Sequence, residues 1–187
     1  MSVIVNPRIV NDGLLLDLDA ANPLSIANVN KNRLSYPEDF SNAGWTKSNC
    51  SFLYNQALAP DGSYTADLMY DTVDGSTAYH NTYQNLSLYA GTYTLSTYVK
   101  VAGTDPIYNG IELGGIGGAN FNLNTGALNF IFGTAASSSI SSVGNGWYRV
   151  SVTSVLTVYT SYQLIVQLST AAGNTNYQGN GQPRMYV

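Results

Sequence analysis

The stretch Val143–Val158, V-G-N-G-W-Y-R-V-S-V-T-S-V-L-T-V, constrains the fold more than any other. Gly144-Asn145-Gly146 is a turn sequence, because Gly and Asn accept the positive φ angles that tight turns require. Beyond it the side chains alternate. Tyr148, Val150 and Val152 fall on one side; Arg149, Ser151 and Thr153 fall on the other. A period of two is the repeat of a strand with one dry and one wet face. Trp147, at the mouth of the turn, is expected to close one end of a sheet-on-sheet core.

The same grammar recurs along the chain. Tyr93, Leu95, Thr97, Val99 and Val101 make the drier face of Gly91–Val101, and Tyr162, Leu164, Val166 and Leu168 alternate as cleanly. Ala66, Leu68 and Tyr70 share a face, and Tyr79, Asn81 and Tyr83 alternate with His80, Thr82 and Gln84. Ile107–Leu113, Ala119–Leu123 and Leu128-Phe130-Phe132 read as further strands, with Asn124-Thr125-Gly126 as a hairpin turn. The serine-rich Ala135–Ser142 is either a surface connection or a polar edge strand. Pro60-Asp61-Gly62, Asp74-Gly75 and Asp105-Pro106 are turns or breaks. The i, i+3, i+4, i+7 spacing of an amphipathic helix is nowhere sustained. Many short strands with frequent turn signals mean a sandwich or barrel, and the long outer loops favour a jelly roll.

The fold class is therefore all-β: an antiparallel jelly-roll β-sandwich over residues 26–187, preceded by an extended N-terminal arm over residues 1–25. In the arm, Val3, Ile4 and Val5 form an apolar run, and Leu14, Leu16 and Leu18 make one face of a strand. Asp17 and Asp19 share its wet face, where exposed strand carboxylates are far commoner than calcium ligands. Residues 26–49 are polar and irregular, with Phe40 and Trp45 expected to anchor them to the sandwich.

Composition narrows the function classes. Charged residues are 10% of the 187, against roughly 25% in ordinary soluble domains, while 44% are hydrophobic. That supports a core and argues against disorder. The seven Lys and Arg are scattered and the net charge is −4, so no basic groove for nucleic acid is expected. Cys50 is the single cysteine and reads as a small, half-buried thiol. No apolar run is long enough to cross a bilayer. The opening M-S-V-I-V-N-P-R lacks the basic and apolar regions of a secretory signal, so synthesis in a cytoplasm is expected.

Catalytic constellations are also wanting. His80 is the only histidine and has no nucleophile elbow nearby, which favours a surface or hairpin histidine over a triad base. Glu112 is the only acid inside an apolar strand and reads as solvent-facing, so no glycosidase pair of carboxyls is expected. One Cys and one His leave no zinc site, and Gly114-Gly115-Ile116-Gly117-Gly118 is no phosphate loop. The expectation is no catalytic residue, no metal and no cofactor. Aromatic side chains remain. Exposed Tyr79, Tyr83, Tyr98 and Tyr108, with Tyr159 and Tyr177, stand among amides and suit stacking on sugars; the alternative is that they line sheet faces and subunit contacts.

Five ordered motifs carry a resemblance: Arg33–Asn49, Ala59–Leu68, Ala90–Lys100, V-G-N-G-W-Y-R-V-S-V-T (Val143–Thr153) and Tyr177–Gly181. Together they resemble a carbohydrate-binding-module-like jelly roll of tailed-phage structural proteins, of the tail-fibre or capsid-decoration type. The opening D-G-L-L-L-D-L-D-A-A-N-P-L-S resembles the first strand of a concanavalin-like domain. The chain departs from the family after Met185-Tyr186-Val187, where a Trp-Gly-containing finish is missing. The resemblance implies a non-enzymatic structural protein on the virion surface, attached through Val3, Ile4, Val5, Leu14, Leu16 and Leu18 and projecting the sandwich outward. The alternative is a carbohydrate-binding module that recognises host surface glycans through its exposed tyrosines. Expected partners are capsid or tail proteins, further copies of the chain in a homo-oligomer such as a trimer, and a host glycan. Neither nucleic acid nor membrane insertion is implied.

Overall fold

The computed structural model describes residues 32–73, 75–103, 108–170 and 174–187. The arm of residues 1–25, with its attachment residues and Asp17 and Asp19, lies outside the described residues. So do the turn positions Asp74 and Asp105.

The described residues contain strands and no helix. In chain order they are β1 (Thr46–Ser48), β2 (Cys50–Ala57), β3 (Ala66–Asp71), β4 (Ala78–Tyr79), β5 (Asn81–Leu88), β6 (Gly91–Val101), β7 (Tyr108–Leu113), β8 (Gly117–Asn122), β9 (Ala127–Gly133), β10 (Ala135–Gly144), β11 (Trp147–Leu156), β12 (Thr160–Ser169), β13 (Asn176–Tyr177) and β14 (Pro183–Tyr186). Two six-stranded sheets pack together. Sheet one has the order β1-β5-β12-β7-β8-β9, and sheet two has β10-β11-β6-β14-β3-β2; β4 and β13 form a small ribbon. All the pairings are antiparallel.

The pairings are nested. β7 pairs with β8, β6 with β11, β5 with β12 and β3 with β14. The first half of the chain thus folds back antiparallel on the second, and the long hairpin rolls into two four-stranded layers, β5-β12-β7-β8 and β11-β6-β14-β3. That is the eight-stranded jelly roll that the long outer loops favoured. β1 and β2 extend the layers on one side, β9 and β10 on the other.

The alternation fixes the core where it is strong. Val150, Val152 and Leu156 of β11, Leu95 and Val99 of β6, and Tyr162, Leu164, Val166 and Leu168 of β12 all face the interior. Phe121 on β8 is the largest fully buried side chain among the described residues, and burying such a side chain contributes about 1.5–3 kcal/mol. Phe40 and Trp45 enter the same cluster, with centroids 4.7 Å apart, and Phe40 stacks on Phe52 at 5.0 Å. They anchor the irregular segment as expected.

Three expectations are corrected. Trp147 shares the outward parity of Arg149, and it is buried because residues after β2 cover it, its indole N–H donating to the Leu58 carbonyl over 3.1 Å. On β3, Ala66, Leu68 and Tyr70 share a face as expected, and it is the outward one, with Asp67, Met69 and Asp71 inward. His80 is completely buried, so it is no surface histidine. Tyr177 is buried as well and offers no exposed ring. The serine-rich segment proves to be the edge strand β10.

Candidate functional site

The outer face of sheet one is built from aligned rows. Cross-strand pairing places Tyr83, Ile165, Glu112, Gly118 and Phe132 in one row over β5, β12, β7, β8 and β9. The next row holds Asn81, Gln167, Gly110, Asn120 and Phe130. Tyr108 and Asn122 stand in a third, their side chains 3.4 Å apart. Adjacent strands lie about 4.8 Å apart, so each row is a track of closely spaced groups.

Glycine flattens this face. A Cβ on Gly118 would meet the Ile111 carbonyl and the Phe132 ring, and one on Gly110 would meet the Gln167 side chain. The Phe132 ring and the Gln167 amide therefore lie down over bare backbone. Phe130 and Phe132 have centroids 5.5 Å apart and stand at 37° to one another, and Phe130 is 41% exposed. The two rings occupy one face because the β8–β9 register is unbroken between them; a bulge follows, between Asn120 and Phe121. Leu128, the third member of that sequence run, sits opposite buried Phe121 instead.

Polar groups between the rings keep unused hydrogen-bonding capacity. Asn120 is fully buried; its Oδ1 accepts from Asn129 Nδ2 at 3.0 Å, but its own Nδ2 has no acceptor among the described residues. Asn81 Oδ1, in the same row, likewise has no donor among the described residues. Glu112 is half-buried, and burial pushes its carboxyl above the usual glutamate range while a Gly115 N–H partly offsets this. Rings, amides and one carboxyl on a flat face are the groups that contact a sugar's C–H surface and hydroxyls.

A second polar cluster lies on the inner side of β5. His80, Thr82 and Gln84 point inward, and each takes hold of the segment before β2. The His80 ring nitrogens lie 2.6 Å from the Asn49 carbonyl and 2.9 Å from the Tyr177 carbonyl. Thr82 donates to the Thr46 carbonyl, and Gln84 both donates to the Ser35 carbonyl and accepts its N–H. Tyr177 packs on His80 with centroids 4.1 Å apart, and the Arg184 guanidinium lies 5.8 Å over the Tyr177 ring. Asp71 pairs with Arg184 close by. Cys50 is buried with its thiol 3.1 Å from the Asn81 carbonyl, and burial pushes it up to about 12. These groups fasten segments together.

The four candidate tyrosines do not converge. Tyr83 and Tyr108 share the outer face of sheet one, two strands apart. Tyr98 lies on the outer face of sheet two, opposite Arg149, and Tyr79 on the β4–β13 ribbon. Tyr159 packs on Tyr89 at 4.5 Å elsewhere. Phe130, Phe132, Asn120 and Gln167 were absent from the sequence candidates. Their signal was Gly110 and Gly118 inside strands, where a missing side chain marks a close approach. Among the described residues, no three His, Cys, Asp or Glu side chains gather as metal ligands. No protein-family model matches the chain, and no curated protein matches it either.

Proposed function

We propose that this chain is a non-enzymatic structural subunit on the exterior of a tailed-phage virion, in a tail fibre or as a capsid decoration, attached through its N-terminal arm. The jelly-roll strand order carries the reading, because the resembling motifs fall on its working parts. Ala90–Lys100 supplies β6, Val143–Thr153 spans the β10–β11 hairpin, and Ala59–Leu68 is the turn into β3. The chemistry of the buried groups supports a non-catalytic role. Carbonyls occupy both approaches to His80, and Cys50 is held as an inert thiol. The test is deletion of residues 1–19 during particle assembly, with gold-labelled antibody against the sandwich viewed by electron microscopy. Full-length protein should label particles and the truncated, folded protein should not. Labelling that survives the deletion overturns the arm; particles never labelled overturn the virion setting.

A second reading, recognition of host surface glycans, is favoured by one observation: the unused Asn81 and Asn120 groups lie in the same row as the Phe130 ring. On this reading a glycan lies across β5 to β9 and stacks on Phe130, and the side chains that cover Asn120 Nδ2 and Asn81 Oδ1 shift so that the first donates to the glycan and the second accepts from it. Glycan-array binding should be lost in Phe130→Ala and Tyr83→Ala and kept in Tyr79→Ala and Tyr98→Ala. Binding by none of the arrayed glycans, or loss in the last two variants alone, defeats it.

A further inference from the structure

The two sides of the sandwich are protected unequally. On one side, the edge of sheet one is β1, only three residues long and carrying Lys47. The edge of sheet two there is β2, which leaves the ladder between Leu53 and Ala57. Within that irregularity Asn55 adopts φ 54° and gives its N–H to the inward Asp67. A short strand, a lysine and a bulge are the devices that stop strand addition.

The opposite side lacks charge altogether. Its edges are β9 and β10, joined through Thr134, and residues 113–148 contain no Asp, Glu, Lys, Arg or Pro. β10 pairs with β11 alone, so its other side presents backbone groups with no strand partner among the described residues. Its register is regular from Ser137 to Ser142, between two irregularities. Ser137, Ser139 and Ser141 are exposed on its outer face.

We propose that the chain forms a two-fold dimer through β10, joining the second sheets of two copies into one continuous antiparallel sheet. The chemistry of the outer face selects the partner. Hydroxyls run across sheet two in rows: Ser139 and Ser151 touch at 2.8 Å, as do Thr94 and Thr153, and Ser137 stands opposite Thr153. The rows stop at β10. A strand that continues them must carry small hydroxyl side chains at alternate positions and no charge, and β10 meets that description itself. With the two-fold axis at Ser139, Ser137 faces Ser141 of the second copy and Ser138 faces its Ile140. Such cross-strand hydroxyl pairs stabilise sheets. Because the β1–β2 side is blocked, an edge-to-edge contact cannot run head to tail; an isologous contact closes at two copies. The exposed Leu128 and Ile131 of β9 flank the same side.

The test is the molar mass of the full chain in solution by light scattering, for the wild type, Ser139→Lys, and Gln56→Lys on the opposite edge as control. The wild type and Gln56→Lys should be dimers, and Ser139→Lys, which sets two lysines against each other at the axis, a monomer with an unchanged circular dichroism spectrum. A monomeric or trimeric wild type, or a dimeric Ser139→Lys, overturns the proposal. Should the variant misfold, amide hydrogen exchange of the wild type decides: amides of Ser137–Ser142 should gain protection as concentration rises. Exchange there that is independent of concentration overturns it.

Discussion

Arg184 and Asp71, 113 residues apart in the chain, form a buried ion pair with guanidinium Nη2 2.7 Å and Nε 2.9 Å from the same carboxylate oxygen. The other oxygen, Oδ1, accepts the Gln182 N–H, and Arg184 also reaches Asn180 at 2.8 Å. The pair sits where the β14–β3 register shifts between Pro183 and Met185, so it clips the last strand to its neighbour at the point where the ladder is weakest.

Removing one partner leaves the other charge buried, which costs far more than the pair contributes. Arg184→Ala and Asp71→Leu should each lower the unfolding free energy by about 3–5 kcal/mol in urea titration. The double variant Asp71→Leu/Arg184→Met should recover much of the loss. Single variants that unfold at the wild-type midpoint would show that the pair is solvated.

Glu112 yields a pH prediction with a definite sign. Burial raises its folded-state carboxyl above the unfolded value. A group shifted that way contributes stability below its unfolded pKa, about 4.3 for glutamate, and loses the contribution as pH rises through the folded value. Glu112→Gln keeps an acceptor for the Gly115 N–H and removes the charge. It should raise the melting temperature at neutral pH and match the wild type near pH 4, within about one degree. Asp67 is shifted the same way, first by burial, so part of the pH slope remains in the variant. A variant that melts lower at neutral pH would contradict the sign.

How much of this was legible before the structure depends on the strand. On β6, β11 and β12 the apolar side of the alternation is the buried side, because those interior positions need only bulk and shape. On β3 and in the first half of β5 the alternation is equally regular, but polar side chains take inward positions: Asp67 and Asp71, Thr82 and Gln84. Asp71 is satisfied by Arg184, His80 by carbonyls at Asn49 and Tyr177, and Gln84 by Ser35, partners 49 to 113 residues away for all but the Asn49 contact. A local pattern carries no trace of such partners. The outer face of sheet one was hidden for a similar reason. Its rows unite residues from five strands, and a bulge puts Phe130 and Leu128 on different sides despite their even spacing.

The glycines of that face should differ in tolerance. At Gly118 an added methyl meets the β7 backbone, at the Ile111 carbonyl and, 2.9 Å away, the Glu112 Cα. Neither can yield without moving β7, so Gly118→Ala should cost about 1–3 kcal/mol. At Gly110 the nearest atoms all belong to the Gln167 side chain, 2.6 Å away, which can swing aside. Gly110→Ala should therefore unfold within about 0.5 kcal/mol of the wild type. Equal losses would mean that the face is not packed against backbone as described.

Gln84 tests whether the inner polar row of β5 holds the preceding segment in place. It is buried at 3% exposure, yet both ends of its amide are used on the backbone of Ser35. Gln84→Leu fills the same volume but strands the Ser35 N–H and carbonyl, each costing about 1–3 kcal/mol if it stays dry. The segment has a cheaper response: it can lift off and let water reach both groups. Phe40 and Trp45, which the segment itself inserts into the core, oppose that with their buried rings. The expected result is thus local. Amide exchange should speed up several-fold at residues 35–45 and stay unchanged in β11 and β12, with a modest fall in global stability. Uniformly faster exchange throughout the sandwich would show that this segment unfolds only with the whole, and that Gln84 is part of the core's cooperative unit.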